Sequence, residues 1–417
     1  MDTRMHTSGI NTYDVNAIRA DFPILSRTVY GKPLVYLDNA ASAQKPLSVI
    51  EAESRVYKEE YANVHRGLHY LSGAATDAFE ASREAVKSFI NARSIKEVIY
   101  TRGTTEAINL VAQTWGRAFL KQGDEIIVSV LEHHSNIVPW QLLAQEKGLV
   151  LKVAPIDDEG NFLLDEFEKL LSPKTKLVAL TYMSNALGTI VPIKAVIDRA
   201  HAVGAKVLID AAQAITHMPV DVQALGCDFL AFSGHKLYGP TGIGILYGRE
   251  ELLEAMPPWQ GGGEMIRTVS FSGTTYADLP AKFEAGTPAI AQAIALKAAI
   301  DYVTTLGLDT IAAHERELLD YGVERLSHVP GLTIVGRARE RASIISFAMD
   351  CAHPHDIGTV IDQAGVAVRA GHHCAQPLME RLCLPATARA SFALYNTKAE
   401  IDVMAEALDK VVKMFAR

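Results

Sequence analysis

Cysteine is scarce, with four residues in 417: Cys227, Cys351, Cys374 and Cys383. A chain of this length buries a core large enough to fold without covalent staples, so no disulfide framework is expected. One reactive thiol in a reduced chain is as natural a use of so few cysteines. Long apolar runs are missing too. The opening MDTRMHTSGINTYDVNAIRADF has no continuous apolar segment of signal-peptide kind. Nothing later reaches membrane-spanning length without a charge or a helix breaker. A cytoplasmic setting away from membranes is therefore expected. Positive charge is in deficit, with a formal net charge of -8, which gives no ground for a nucleic-acid-binding face. Repeats and low-complexity segments are absent. With 49% hydrophobic and 21% charged residues the composition is that of an ordinary globular protein, and the length suggests two or three domains.

What is present is a succession of short apolar segments. EVIYT, DEIIVSV, LVLKVAP, TKLVALTYM, AKVLIDAA and CDFLAFS alternate with helical patterns such as IKAVIDRAHA, which Gly204 closes. Short buried runs between helices predict an α/β fold with a mostly parallel sheet covered on both faces. In such sheets chemistry collects where strands end and loops begin. After about residue 290 the pattern changes. AIAQAIALKAAIDYVTTLG predicts a helix over 290–312, TIAAHERELLDYGVERLSHV another, LTIVG and ASIISFAM short strands, and AEIDVMAEALDKVVKMF a closing helix. This part reads as a smaller α+β domain joined to the first by the 290–312 helix.

The most informative constellation is VLIDAAQAI followed by FLAFSGHKLYGPTGIG. Asp210 ends a strongly apolar strand, where an unpaired carboxylate is costly, Gln213 follows, and Lys236 lies in the next strand-to-loop passage. A buried acid that keeps a pyridinium nitrogen protonated and a lysine that forms an imine are the two ends of a pyridoxal phosphate site. Alone, the lysine reads as a surface charge. TRGTTEAINL places Thr104 and Thr105 at a helix start, which suits a phosphate, and also suits a plain helix cap. Ser233 and His235 are further donors. His133 and His134 follow another apolar strand, and either imidazole could lie on a pyridine ring. Neither histidine pair has the spacing of a metal site on one helix face, and HExxH is absent, so no metal is expected. Asn185 is placed to meet cofactor or substrate. Arg389 suits an α-carboxylate, or a surface ion pair.

Together these residues resemble the second, SufS-like group of pyridoxal-phosphate-dependent cysteine desulfurases and selenocysteine lyases, within the class V aminotransferases of fold type I. YLDNAASAQKP, NVHRGLHYLS, RGTTEAINLVA, EHHSNIVPWQ, SNALGT, DAAQAITH, SGHKLYGPTGIGILYG, FEAGTP and RAGHHCAQPLM carry the likeness over roughly residues 15–415. RAGHHCAQP is the most specific of them. The resemblance implies a large domain over 29–295 with a seven-stranded sheet, a small domain over 296–417 carrying the cysteine loop, and an arm over 1–28 that joins the small domain. It implies Lys236 as the imine-forming lysine, Cys374 as the thiol that attacks the substrate's sulfur, His133 on the ring, Asp210 at its nitrogen and Gln213 at its phenolic oxygen. Thr104, Thr105, Ser233 and His235 would hold the phosphate, with Thr287 reaching it from the partner of a homodimer. Arg389 would bind the substrate carboxylate, assisted by Asn185, with His65 and Arg369 as further contacts. The activity implied is conversion of L-cysteine to L-alanine, with a persulfide on Cys374 for a sulfur acceptor of SufE or SufU type in iron–sulfur cluster assembly. A selenocysteine lyase is the alternative, and a class V aminotransferase a poorer one, having little use for Cys374. His372, His373 and Arg369 remain open as the group that favours the thiolate.

Overall fold

The computed structural model describes residues 13–415, so the first twelve residues of the expected arm lie outside the described residues. Seven strands form the main sheet, in the spatial order Val98–Thr101, Gly244–Gly248, Phe229–Ser233, Lys206–Asp210, Thr175–Thr181, Glu125–Ser129, Val150–Ala154. The last five run parallel, and Gly244–Gly248 is antiparallel to both its neighbours. Central strands such as Phe229–Ser233 are buried at every residue, as the continuous apolar runs require.

Two consequences of this topology create a site. The carboxyl ends of four parallel strands deliver Ser129, Thr181, Asp210 and Ser233 to one edge of the sheet, and the loops after them begin there. The antiparallel strand then presses its first residue against the neighbouring turn. A Cβ on Gly244 would lie 2.4 Å from the Cα of Gly103. Only glycine lets the 101–105 turn close on the sheet there, and this brings the helix Thr104–Val111 up to Ser233.

The expected 290–312 helix stops earlier. Ile290–Leu306 ends at Gly307, whose φ of +84° belongs to the region where a side chain is strained, and Leu308–Ser327 sets off as a separate helix. Ile290–Leu306 is buried on most of its circumference, because helices Leu47–Arg55 and Tyr70–Phe89 pack against it. The second sheet is antiparallel, in the order Leu332–Val335, Ile344–Met349, Thr387–Ser391, Arg369–Gly371. The closing helix Lys398–Phe415 covers it with Ile401, Met404, Ala405, Leu408 and Val411, spaced as one helical face requires.

The chain crosses between these sheets more than once. Val35–Tyr36 pairs in parallel with Val366–Ala367, and Asp38 bridges Ser391. The early helix Val15–Ala20 is tied to the far end of the chain by Arg19, which donates to the Tyr395 carbonyl at 2.6 Å and pairs with Glu400 at 3.0 Å. Among the described residues no helix is long and apolar enough to cross a membrane.

Candidate active site

A cavity of about 260 Å³ opens at the carboxyl edge of the main sheet, where residues from the second sheet close it. Lys236 stands half-buried in its wall, three residues beyond the end of Phe229–Ser233. Burial pushes its ammonium down to about 8, with Arg389 acting in the same direction and Asp210 opposing. Asp210 is buried at the end of its strand and accepts the Ala212 N–H at 2.9 Å through one oxygen. Desolvation raises its carboxyl above the ordinary range, against the pull of that N–H and of Lys236.

His133 closes the cavity over the end of Glu125–Ser129. Its Nδ1 accepts the Ser135 N–H at 3.1 Å and lies 2.7 Å from Ser135 Oγ, so the proton of the neutral ring sits on Nε2. Burial first, then Lys236, His134 and Arg389, drive its pKa down to about 4, and the ring is uncharged near neutrality. The turn is anchored from behind by buried Glu132, which accepts from Asn136 at 2.6 Å, while Asn136 accepts from Trp140 at 2.9 Å. Burial drives the Glu132 carboxyl up to about 8.

At the opposite wall, Ser233 Oγ accepts the Thr104 N–H at 2.8 Å and meets Thr104 Oγ1 at 2.7 Å. Thr104 and Thr105 begin a helix whose first N–H groups have no intrahelical acceptor. His235, at 3.2 Å from Ser42 Oγ, is held at about 4 by burial and by Lys236 and Lys45. Gln213 donates to the Ala40 carbonyl at 2.8 Å.

The second sheet supplies the remaining wall. Arg389, only 2% exposed, donates through Nη1 to the Asn185 carbonyl at 2.7 Å, and its Nε has no partner. Asn185 donates to the His373 carbonyl at 2.6 Å. Cys374 is exposed at the rim with φ of +55°, following His373 at +54°. His134 holds this loop twice, since its N–H donates to the Cys374 carbonyl at 2.7 Å and its Nε2 accepts the Gln376 N–H at 3.1 Å.

The family model for aminotransferase class-V covers residues 35–404. A cysteine desulfurase of Dickeya dadantii is 53% identical over 97% of this chain and 98% of its own length. The chain belongs to the cysteine desulfurase group of the aminotransferase class-V family. A cysteine desulfurase of Synechococcus elongatus is also 53% identical, over 98% of the chain. The chain spans 65% of that relative's length, and 58% and 66% of two others. The crystal structure of the S-sulfonic acid form of an Escherichia coli cysteine desulfurase superposes with a TM-score of 0.90 at 41% identity, covering 97% of this chain and all of that one. The fold is thus the α/β fold type I of this family.

Of the residues picked out for this family, Thr104, Thr105, His133, Asn185, Asp210, Gln213, Ser233, His235, Lys236, Arg369, Cys374 and Arg389 all line the one cavity. Two stand apart. Thr287 is exposed in a neighbouring cavity beside Trp259 and Glu284. His65 is exposed and bonded to Glu80 at 2.8 Å. Arg389 lies within the strand Thr387–Ser391. Asp38 went unread in the sequence, although a carboxylate directly after an apolar strand is a signal. Of the open thiolate partners, His373 is pushed down to about 3, chiefly by burial and then by Arg389, and so brings no charge near neutrality. Arg369 does.

Proposed function

We propose that this chain is a pyridoxal-phosphate-dependent cysteine desulfurase, converting L-cysteine to L-alanine and taking the sulfur onto Cys374. The observation that carries the reading is the meeting, in one cavity, of an amine, a buried carboxylate, an uncharged imidazole, a buried guanidinium with a free N–H, and an exposed thiol. The donor set fits the cofactor: a primary amine at about 8 for its aldehyde, a carboxylate for its ring nitrogen, and a helix start with hydroxyls for its phosphate. Lys236, Asp210, His133, Gln213, Thr104, Thr105, Ser233 and His235 would hold it, with Asn185 beside them and Thr287 contributed by a second copy in a homodimer. When bound, pyridoxal phosphate supplies an electron sink for the pair left at the substrate's Cα.

The chain's own residues do the rest. Arg389 fixes the amino acid by its carboxylate, with Asn185 assisting and Arg369 completing the contacts from the same cavity, while His65 lies outside it. Lys236 takes the proton from Cα, a task for which a lysine near 8 is far better matched than one at 10.5. Cys374 as thiolate forms a bond to the substrate's sulfur while the Cβ–S bond breaks, its electron pair staying with Cβ, which takes a proton to give alanine. The sulfur then passes to an acceptor protein of SufE or SufU type for iron–sulfur cluster assembly. The reading places the chain in the cytoplasm, where four unpaired cysteines are at home. A selenocysteine lyase is the second reading, since the same amine, carboxylate and guanidinium in one cavity suit an amino acid whose selenium leaves Cβ more readily.

The test is anaerobic addition of L-cysteine to the purified holoenzyme. Alanine should form, its visible absorption should shift, and one sulfur per chain should become trapped on Cys374, located by mass spectrometry. Alanine without sulfur on Cys374 would contradict the transfer step. The pKa of Lys236 adds a pH dependence. Because the ammonium must lose its proton to react, cofactor uptake by the apoenzyme should quicken with rising pH up to about 8 and level off above it. A rate still climbing at pH 10, followed by stopped-flow absorption, would place the lysine at its ordinary value.

A further inference from the structure

Lys236 is fixed through the backbone on both sides. The carbonyl of His235, which is the oxygen of the peptide bond into Lys236, accepts from the Lys45 ammonium at 2.7 Å. The Ala43 N–H donates to the same oxygen at 3.2 Å, and Ser42 Oγ lies 3.3 Å from it. The carbonyl of Lys236 itself accepts from Thr216 Oγ1 at 3.2 Å, in the short helix Ala214–His217 beyond the Asp210 strand. Lys45 arrives from elsewhere, on the segment that follows the Asp38–Ser391 bridge. That segment is anchored in turn. Tyr36 Oη donates to the Ser42 carbonyl at 2.8 Å, and the Gln44 N–H donates to Tyr395 Oη at 2.9 Å.

Among the described residues no carboxylate pairs with Lys45, whose other acceptor is the Ala43 carbonyl at 2.6 Å. Burial alone pushes its ammonium down to about 8, so it is still charged near neutrality. Taking an ammonium out of water for two carbonyl oxygens costs free energy, and the fold accepts that cost at the peptide group that carries the amine of the cavity. Lys45 does not line the cavity itself. Its bond to the His235 oxygen is charge-assisted and so stronger than one from a neutral donor. An acid placed here to neutralise Lys45 would also favour the charged form of Lys236; two carbonyls hold the ammonium without that effect.

We propose that Lys45 is a positioning residue for Lys236: its ammonium, bonded to the peptide oxygen ahead of Lys236, holds that residue's backbone so that the amine reaches into the cavity. The inference rests on the reading of Lys236 as the amine that binds the cofactor, and adds the residue that aims it. Lys45 acts through Lys236 alone.

A double-mutant cycle on pyridoxal phosphate binding tests this, read by equilibrium dialysis of the apoenzyme with no substrate present. Lys45→Met keeps the aliphatic stem, and the His235 carbonyl keeps the Ala43 N–H. This variant should bind pyridoxal phosphate about tenfold more weakly than the parent, the effect of one hydrogen bond from a charged donor. In Lys236→Ala, where no bond to the lysine forms, adding Lys45→Met should change the affinity by no more than about twofold. A merely structural role, or a charge acting on the phosphate through space, would carry the same loss into Lys236→Ala. Unchanged affinity in Lys45→Met, or an equal loss in both backgrounds, would overturn the assignment. Lys45→Gln, which removes the charge and shortens the reach, runs the same cycle with the same criteria should Lys45→Met fail to fold. A parent chain that binds no pyridoxal phosphate would overturn the cofactor reading and this inference with it; parental binding without the expected cycle would overturn this inference alone.

Discussion

Cys374→Ala should lower alanine formation from L-cysteine by on the order of 10³-fold or more, while the bound cofactor's absorption stays as it was. The thiol is exposed at the cavity rim and makes no hydrogen bond that positions another side chain. Its backbone carbonyl, which accepts from His134, is retained in the variant. The loss therefore falls on sulfur transfer alone. With L-selenocysteine the same variant should lose much less, because selenium leaves Cβ more readily, and comparison of the two substrates separates the desulfurase reading from the lyase reading. Alanine release from L-cysteine at the parental rate would remove Cys374 from the reaction.

Lys236→Ala should have the other large effect, of on the order of 10⁴-fold or more on alanine formation, together with loss of the parental visible band. Lys236 is the only lysine that lines the cavity among the described residues. Lys45, the nearest substitute, is spent on the carbonyls of Ala43 at 2.6 Å and His235 at 2.7 Å. Substitution also removes a positive charge from beside Asp210 and His133, so the Asp210 carboxyl should rise further and the His133 imidazole should rise from about 4. NMR titration of the His133 ring would read the second change directly. A variant that kept both the band and the activity would show that another amine carries the cofactor.

The difference between what the sequence revealed and what it hid follows the range of the interactions. The strands ending in Asp210 and Ser233 were legible because strands buried on both faces leave continuous apolar runs, and the loops beyond them follow from parallel topology. Thr387–Ser391 was not, because TARAS is small and polar, and its burial comes from the neighbouring strands and the helices that cover the sheet. The paired hairpin strands Ile266–Ser270 and Gly273–Tyr276 escaped for a related reason, as both are largely exposed and carry no apolar face. The helix break at Gly307 was visible as a glycine, but the apolar pattern runs through it. Asp38 shows the sharpest limit: its partner Arg369 lies 331 residues along the chain, and no local pattern announces such a pair.

The two hydrogen bonds from His134 to the Cys374 loop set a balance between waiting and handing over. At about 1 kcal/mol each, they alone favour the docked loop by a factor on the order of 30. On the proposed reading an acceptor protein would meet a thiol in sight but held back, and would have to compete with a histidine that makes no hydrogen bond to the sulfur. The same short turn carries His133, so on that reading the residue facing the ring and the residue restraining the outgoing sulfur would be consecutive. Departure of the loop and disturbance of the ring's neighbour would then become one event, tying the timing of export to the state of the chemistry.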